Sequence, residues 1–143
     1  MNLVTPSLAV GSRLDAADAE QLQRHDIRAV LSLAPAARPR GIWCQLHLQM
    51  ADRQPIPDTT IRRAMEFIHA QQQLGRRVLV HCEMGISRSP SLIASYLHQY
   101  QQMELEQAVA LIKQARPQAE PHPELLASLR DYHAVRLAQE SAA

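Results

Sequence analysis

The residues with the clearest chemical potential are a cysteine and an arginine, Cys82 and Arg88, which bracket a loop of five residues. The apolar run at 78–80 precedes this loop and is typical of a buried strand. A helix pattern over 89–101, with a proline near its start, follows the loop. A strand, a short loop and a helix in this order point backbone N–H groups and the positive end of the helix dipole at one spot. The loop is therefore predicted to bind an oxyanion.

Cys82 lies within that positive field, which favours the thiolate over the thiol. A thiolate in an amide-lined anion site, beside a guanidinium that can hold two oxygens, is suited to attack on phosphorus. The alternative is that Cys82 is an inert core thiol and that the nearby glycine and serines are ordinary turn residues. Because the strand end, the loop and the helix start coincide with reactive side chains within 81–90, the sequence favours a phosphatase.

Length and composition limit the remaining possibilities. The chain has 143 residues, of which 46% are hydrophobic and 20% charged, and its formal net charge is +1. These values predict one globular domain over 1–143, with 138–143 as a frayed tail, and they favour neither nucleic-acid nor membrane partners. The two cysteines form no disulfide framework, and neither a signal peptide nor a membrane span is visible. We therefore expect a cytoplasmic protein.

Strand and helix patterns alternate along the chain and then give way to helices alone. Strands are predicted at 8–10, 27–33, 42–50 and 78–80, and helices at 15–25, 58–74, 89–101, 105–115 and 123–138. Asp15 is expected to cap the first helix, and Asp58 or Thr59 the second. Residues 34–41, which contain two prolines, are predicted to form a loop. The pattern indicates an α/β fold, with a central, mostly parallel sheet of four to five strands flanked by helices on both faces.

A phosphatase also needs an acid to protonate the leaving oxygen. Asp52 is the best candidate, because it follows the strand at 42–50 and so lies at the same edge of a parallel sheet as Cys82. Asp58 stands before a helix start and suits a cap, while Asp26 lies at the opposite edge. Acid and base groups cluster at a single site, which favours the catalytic role for Asp52 over that of a solvated loop carboxylate.

Residues 81–89 match the signature of the cysteine-based protein tyrosine phosphatases, His-Cys-x-x-Gly-x-x-Arg followed by Ser or Thr. The whole chain resembles the dual-specificity branch of that superfamily. Residues 5–12 are similar to its opening hairpin, 27–33 to one of its strands, and Arg116-Pro117 to a late helix ending. Asp52 stands about thirty residues before the cysteine, the interval usual for the general acid of that branch. The resemblance implies the corresponding fold and activity, with no metal and no cofactor.

By that resemblance, Cys82 attacks phosphorus and forms a phosphocysteine while Asp52 protonates the departing oxygen, and Asp52 then activates water. Ser89 is expected to hydrogen-bond the thiolate, and His81 to favour the thiolate through the hydrogen-bond network of the loop. Substrate binding is assigned to the loop and to one residue beside the acid, namely Glu83, Met84, Gly85, Ile86, Ser87, Arg88 and Arg53.

The short chain lacks the extra loop that deepens tyrosine-specific pockets, so phosphoprotein substrates carrying phosphotyrosine, phosphoserine or phosphothreonine are expected. Oxyanions such as vanadate should inhibit. Polyanionic substrates are disfavoured, because the variable loop positions Glu83, Met84 and Ile86 add no positive charge. Arg38 and Arg40 are either contacts for acidic residues beside a phosphosite or solvated charges.

Two other classes remain open at this point. A rhodanese-type sulfurtransferase also places a cysteine between a strand and a helix, but it would not need Arg88, Ser89 or Asp52. A non-catalytic phosphopeptide-binding module would keep the fold and lose the nucleophile. Cys44 is either a buried thiol without a task or a partner that traps oxidised Cys82 as a disulfide.

Overall fold

The computed structural model describes residues 1–35, 42 and 44–142. Its strands are β1 (Asn2–Thr5), β2 (Leu8–Gly11), β3 (Ile27–Ser32), β4 (Cys44–His47) and β5 (Arg77–His81). Its helices are α1 (Arg13–Ala17), α2 (Ala19–Arg24), α3 (Asp58–Gln73), α4 (Arg88–Gln101), α5 (Leu105–Ala115) and α6 (Pro123–Ala142). None of these helices, within the described part of the chain, is both long enough and apolar enough to cross a membrane.

The strands form one sheet of five in the order β1-β2-β5-β3-β4. Only β1 is antiparallel to its neighbour, and the other three pairings are parallel. β5 is the central strand, and its residues alternate between two cores: Leu79 faces one, and Val78 and Val80 face the other. The predicted α/β class, with a mostly parallel sheet between helices, is confirmed.

The two faces of the sheet carry cores of different size. On one face, Ala16 of α1 and Leu22 of α2 pack against Ala9, Val30 and Leu79. The other face carries the larger core, to which α3, α4, α5 and α6 all contribute buried side chains. Helices cover β5 on both faces, so the end of this strand is held firmly in place. The next residue after that end is Cys82.

Two predicted helix starts are wrong. Ser12 caps α1, and Asp15 stands at the third helical position, where it completes a capping box with Ser12. Asp18 then ends α1 and caps α2, so the single helix predicted over 15–25 is two short ones. Pro57 occupies the N-cap position of α3, and its carbonyl accepts from Thr60 N–H at 3.0 Å. Neither Asp58 nor Thr59 caps that helix.

Two predicted boundaries also differ from the structure, and a third falls mostly outside the described residues. α6 continues to Ala142, so the tail predicted to fray at 138–143 is helical at 138–142, and the Arg136–Glu140 ion pair of 2.9 Å spans this extension. β4 covers only part of the strand predicted at 42–50. Most of the loop predicted at 34–41 lies outside the described residues.

Candidate active site

The turn from β5 into α4 is made by residues 82–87, which we call the phosphate loop. Gly85 has a φ of +69° at its centre. A Cβ there would lie 2.7 Å from both the Gly11 carbonyl oxygen and an Arg116 guanidinium nitrogen. Only glycine combines this backbone conformation with this close approach.

The carbonyl groups of the phosphate loop are bonded away from its centre. Glu83 O accepts from Arg13 N–H at 3.0 Å, and Ile86 O from Glu120 N–H at 2.6 Å. The Arg116 guanidinium donates to Met84 O at 3.0 Å and to Gly85 O at 2.8 Å. Four successive carbonyls are thus held outward, which leaves the N–H groups to converge on the interior of the loop, as an anion site requires.

Cys82 is 2% exposed, and its thiol lines the cleft above the loop. Its Sγ lies 3.2 Å from Oγ of Ser89, which is fully buried in the first turn of α4. The Ser89 hydroxyl can therefore donate to a thiolate at Cys82. Cys82 N–H donates to the Gly11 carbonyl at 3.4 Å, which attaches the nucleophile to β2 as well as to β5.

His81 is fully buried at the end of β5 and holds the loop through its ring. Its Nδ1 lies 3.1 Å from Cys82 O, so Nδ1 carries the proton and donates. Burial lowers the pKa of His81, outweighing the opposing effect of the bond to Cys82 O, and the ring is neutral at pH 7. Nε2 therefore accepts from the Ser32 hydroxyl at 2.7 Å, and Ser32 Oγ in turn accepts from Gln45 at 3.2 Å.

Asp52 lines the same cleft as Cys82, and the volume of this cleft is about 510 Å³. Its Oδ1 accepts from Ser87 Oγ at 2.8 Å and from Arg53 N–H at 2.9 Å. Arg53, which also lines the cleft, has a φ of +62°, a conformation that turns the chain sharply beside the carboxylate. The carboxylate is half-buried.

Arg88 is the first residue of α4 and also lines the cleft. Its Nη1 donates to Met50 O at 2.9 Å, which ties the phosphate loop to the chain that leads to Asp52. The remaining donors of the planar guanidinium are suited to paired contacts with oxyanion oxygens.

The other predicted binding residues divide by position. Glu83, Met84, Ile86 and Ser87 line the cleft, whereas Gly85 shapes the loop from a buried position. Met84 is 62% exposed at the rim. Arg38 and Arg40 lie outside the described residues.

Sequence reasoning missed several residues that shape the site. Arg116 was matched only as part of a helix ending, although it is buried and bonds two loop carbonyls and Asn2 Oδ1. Lys113 and His122 line the cleft from the α5 side and from the start of α6. A buried arginine in the sequence carries no signal of its partners, because those partners are more than 30 positions away along the chain.

The hypothesis that Cys44 traps oxidised Cys82 is wrong for this fold. Cys44 pairs with Ala29 across β3, which in turn pairs with Val78 of β5. Cys82 lies four residues beyond Val78, about 13 Å along the strand direction at ~3.3 Å per residue. A disulfide needs Cα atoms within about 7 Å. The Cys44 thiol instead accepts from Gln71 Nε2 at 3.3 Å.

Comparison with known proteins agrees with this geometry. Residues 8–135 match the family model described as dual specificity phosphatase, catalytic domain. The chain therefore belongs to the dual specificity phosphatase family, and the predicted class, a cysteine-based protein phosphatase, is confirmed. The sulfurtransferase interpretation is thereby set aside.

Individual relatives share the fold over nearly the whole chain. The chain is 32% identical to dual specificity protein phosphatase 22-B of Danio rerio over 97% of its own length and 77% of the relative. The crystal structure of human DUSP28 matches with a TM-score of 0.89 and 27% identity, over 97% of this chain and 99% of that one. A mouse dual specificity phosphatase structure, described as complexed with zinc tungstate, matches with a TM-score of 0.88 and 28% identity, over 97% and 89%. The chain spans 77% of that Danio rerio relative but only 20% of another relative, protein phosphatase Slingshot homolog 3 of Homo sapiens.

Proposed function

We propose that Cys82 is the nucleophile and Asp52 the general acid of a dual-specificity protein phosphatase, and that residues 1–143 form a single catalytic domain. The observation that carries the proposal is the meeting of three groups in one cleft. The Cys82 thiol lies 3.2 Å from a hydroxyl donor, the carbonyls of the loop around it are bonded outward, and the Asp52 carboxyl lines the same space. These are the groups that a two-step phosphoryl transfer to sulfur requires.

In the first step, the Cys82 thiolate forms the S–P bond while the P–O bond to the leaving group breaks. The departing oxygen takes the proton of Asp52. The amides of residues 83–88 and the Arg88 guanidinium hold the three equatorial oxygens, where charge-assisted hydrogen bonds stabilise the transition state.

In the second step, water forms a new P–O bond and the S–P bond breaks, which releases inorganic phosphate. Asp52, now a carboxylate, takes the proton of the attacking water. The Ser89 hydroxyl donates to the sulfur as it leaves as a thiolate. His81 remains neutral throughout and acts by fixing the Cys82 carbonyl, so it needs no proton transfer of its own.

The shape of the cleft supports a broad choice of phosphorylated side chain. Its rim carries the exposed Met84, and its described lining consists of short loops around 52–53, 82–88 and 120–123 together with Lys113, a setting suited to phosphoserine and phosphothreonine as well as phosphotyrosine. None of the residues 83–87 is basic, and the one charged residue among them, Glu83, is paired with Arg13 at 3.1 Å. These loop positions therefore add no positive charge that would attract a polyanion. We infer phosphoprotein substrates and inhibition by tetrahedral oxyanions such as vanadate, in keeping with the tungstate complex of the mouse relative.

We also infer a cytoplasmic location and no nucleic-acid or membrane partner. Both thiols are free, and a catalytic thiolate needs a reducing compartment to stay active. The formal net charge of +1 gives no general attraction to polyanions.

The test is phosphate release from matched phosphotyrosine and phosphothreonine peptides by the wild type and by Cys82→Ser. The wild type should hydrolyse both peptides, and acid quenching should trap phosphate on Cys82 in the mass spectrum. Cys82→Ser should lose turnover and still bind tungstate in a calorimetric titration, because the amides and Arg88 remain. Substantial turnover by Cys82→Ser would remove Cys82 from its role, and activity on phosphotyrosine alone would refute the dual specificity.

A further inference from the structure

We propose that Ser87 is a positioning residue that determines which oxygen of Asp52 carries the acidic proton, and that the segment Pro121-His122-Pro123 holds Ser87 for this task. The inference rests on the proposed function, since it takes Asp52 as the general acid. The proposed mechanism uses the backbone N–H of Ser87, and the inference adds a role for its side-chain hydroxyl.

While Asp52 is a carboxylate, the hydrogen bonds around Ser87 have only one consistent direction. His122 N–H donates to Ser87 Oγ at 3.0 Å, because an amide nitrogen cannot accept. The Ser87 hydroxyl then donates its own proton to Asp52 Oδ1 at 2.8 Å. Each bond in such a chain polarises the next, so the amide strengthens the hydroxyl as a donor.

Two donors therefore converge on one oxygen of Asp52. Ser87 Oγ–H and Arg53 N–H both point to Oδ1, at 2.8 and 2.9 Å. When the carboxyl group is protonated, a proton on Oδ1 would meet Arg53 N–H and would reverse the Ser87 hydrogen bond, so both donations to Oδ1 would be lost. The acidic proton is therefore favoured on Oδ2, the oxygen left to meet the leaving group and, in the second step, the water.

The Ser87 hydroxyl is not committed to any structural task within its own helix. Ser87 stands at the N-cap position of α4, where a serine hydroxyl normally accepts from the first turn, yet it makes no such bond. Its backbone carbonyl, not its side chain, accepts from Ser91 N–H at 3.1 Å and from Ser91 Oγ at 2.7 Å. Among the described residues, the hydroxyl contacts only His122 N–H and Asp52.

The segment that supplies the amide is unusually constrained. Pro121 and Pro123 have fixed φ angles and no N–H, so His122 provides the one backbone donor of the three. The His122 ring also caps α6, with Nδ1 accepting from Glu124 N–H at 3.1 Å. On the other side, Glu120 N–H donates to Ile86 O at 2.6 Å. The donor is therefore fixed both to α6 and to the phosphate loop.

The experiment compares kcat/KM for phenyl phosphate, a poor leaving group, with that for para-nitrophenyl phosphate, a better one. Ser87→Ala should lower the first value by roughly 10-fold and the second by less than about threefold, because only the first needs a well-placed acid. Ser87→Thr, which keeps the hydroxyl, should recover most of the lost ratio. In an Asp52→Asn background, Ser87→Ala should change the ratio no further, since the two residues act as one unit.

The ratio of the two kcat/KM values distinguishes a catalytic effect from misfolding, because a smaller folded fraction lowers both values equally. Equal losses on the two substrates, or an unchanged ratio in Ser87→Ala, would overturn the role of Ser87 while leaving the phosphatase intact. An unchanged ratio in Asp52→Asn would instead refute the acid assignment of the proposed function, and the inference with it. His122→Asn, which retains a capping acceptor, should preserve the ratio better than His122→Ala, and the reverse order would exclude the role of the segment.

Discussion

The phosphate loop at 82–87 and the acid loop at 48–57 meet over the same cleft, but they are built differently. Four carbonyls of the phosphate loop are bonded outward, Gly85 allows its tight turn, and buried His81 and Ser89 flank it. The acid loop exposes most of its middle and contains a residue of positive φ, Arg53. Both loops are held by other elements, but the phosphate loop is bonded at four successive carbonyls, whereas the contacts of the acid loop are spread along a largely exposed segment.

At its start, the acid loop is bonded to the end of β3, with Leu48 N–H donating to Ser32 O at 2.9 Å. Further contacts come from three other places. Arg88 donates to Met50 O at 2.9 Å, Ser87 to Asp52, and Ser128 Oγ of α6 accepts from Ile56 N–H at 2.9 Å. Binding and attack at phosphorus can therefore rely on a preorganised loop, while protonation of the leaving group relies on docking between loops. This difference suits the chemistry, because phosphorylated side chains of different length must enter the cleft before Asp52 protonates their leaving oxygen.

The largest effect that separates the two loops is expected from Asp52→Asn. Loss of the proton donor should lower kcat/KM for phenyl phosphate by roughly 10²-fold or more, and much less for an activated aryl phosphate. The alkaline limb of the kcat/KM profile should flatten as well, since that limb reports the protonated acid. Steady-state kinetics from pH 5 to 9 on both substrates provide the measurement. Binding of tungstate should be unchanged, and a matching loss of tungstate affinity would show that the two loops are not functionally separate.

A smaller effect is expected from Arg116→Ala, which attacks the scaffold of the phosphate loop. The buried carbonyl of Gly85 and the half-buried carbonyl of Met84 lose their donor, so the unfolding free energy should fall by about 3 kcal/mol. kcat/KM should fall by roughly 10-fold on both substrates alike, because anion binding is impaired and the acid is not. Denaturant titration and the same kinetic pair measure these quantities.

The matched control for that variant is Arg130→Ala. Arg130 forms an exposed ion pair with Glu106 and touches neither loop, so this variant should leave stability and kinetics unchanged. If Arg116→Ala lowered kcat/KM for phenyl phosphate much more than that for para-nitrophenyl phosphate, the contacts of Arg116 would also position the acid, and the two loops would not act separately.

The same contrast explains what the sequence could predict. The phosphate loop is contiguous, so its strand, glycine, arginine and helix start appear as a local pattern, and the sheet class follows from alternation of elements. Asp52 could be chosen only by strand-end placement. The bracing by Arg116 and the link from His122 through Ser87 arise from contacts more than 30 positions apart, which no local pattern encodes.

The errors in element boundaries have equally physical causes. Asp15 resembles a cap, but Ser12 takes that position and Asp15 bonds back to it, so the helix begins earlier. The apolar spacing over 15–25 is typical of one helix, but the Asp18 side chain caps a second helix within it, so the first helix ends there. At the other end, the i,i+4 ion pair between Arg136 and Glu140 supports a helix that composition alone would have ended.

A still smaller effect concerns pH and the phosphate loop. Burial lowers the pKa of His81 below its unfolded value of about 6.5, so at lower pH the unfolded chain takes up a proton that the folded chain does not. Stability is fully present above pH 6.5 and falls as the pH drops towards the folded pKa, by at most about 1.4 kcal/mol per pH unit.

The measurement for His81 is the difference in unfolding free energy between pH 7 and pH 5 for the wild type and for His81→Gln. The variant should show the smaller difference. Buried His133, whose pKa is lowered to about 4 chiefly by burial, adds a loss of the same sign in both proteins and cancels in the comparison. An equal pH dependence in the two proteins would show that the neutral ring does not stabilise the phosphate loop.

The smallest effect is expected at Asp58, the carboxylate that competes with Asp52 in the sequence. It is exposed in the first turn of α3, where its charge favours the positive end of the helix, and it makes no side-chain cap. Asp58→Asn should therefore cost about 0.5 kcal/mol of unfolding free energy at low ionic strength, less than the loss of a true cap, and the difference should shrink as salt is added. The ratio of kcat/KM between phenyl and para-nitrophenyl phosphate should not change. If Asp58→Asn altered that ratio and Asp52→Asn did not, the acid loop would have been assigned the wrong carboxylate, while the nucleophile would keep its place in the phosphate loop.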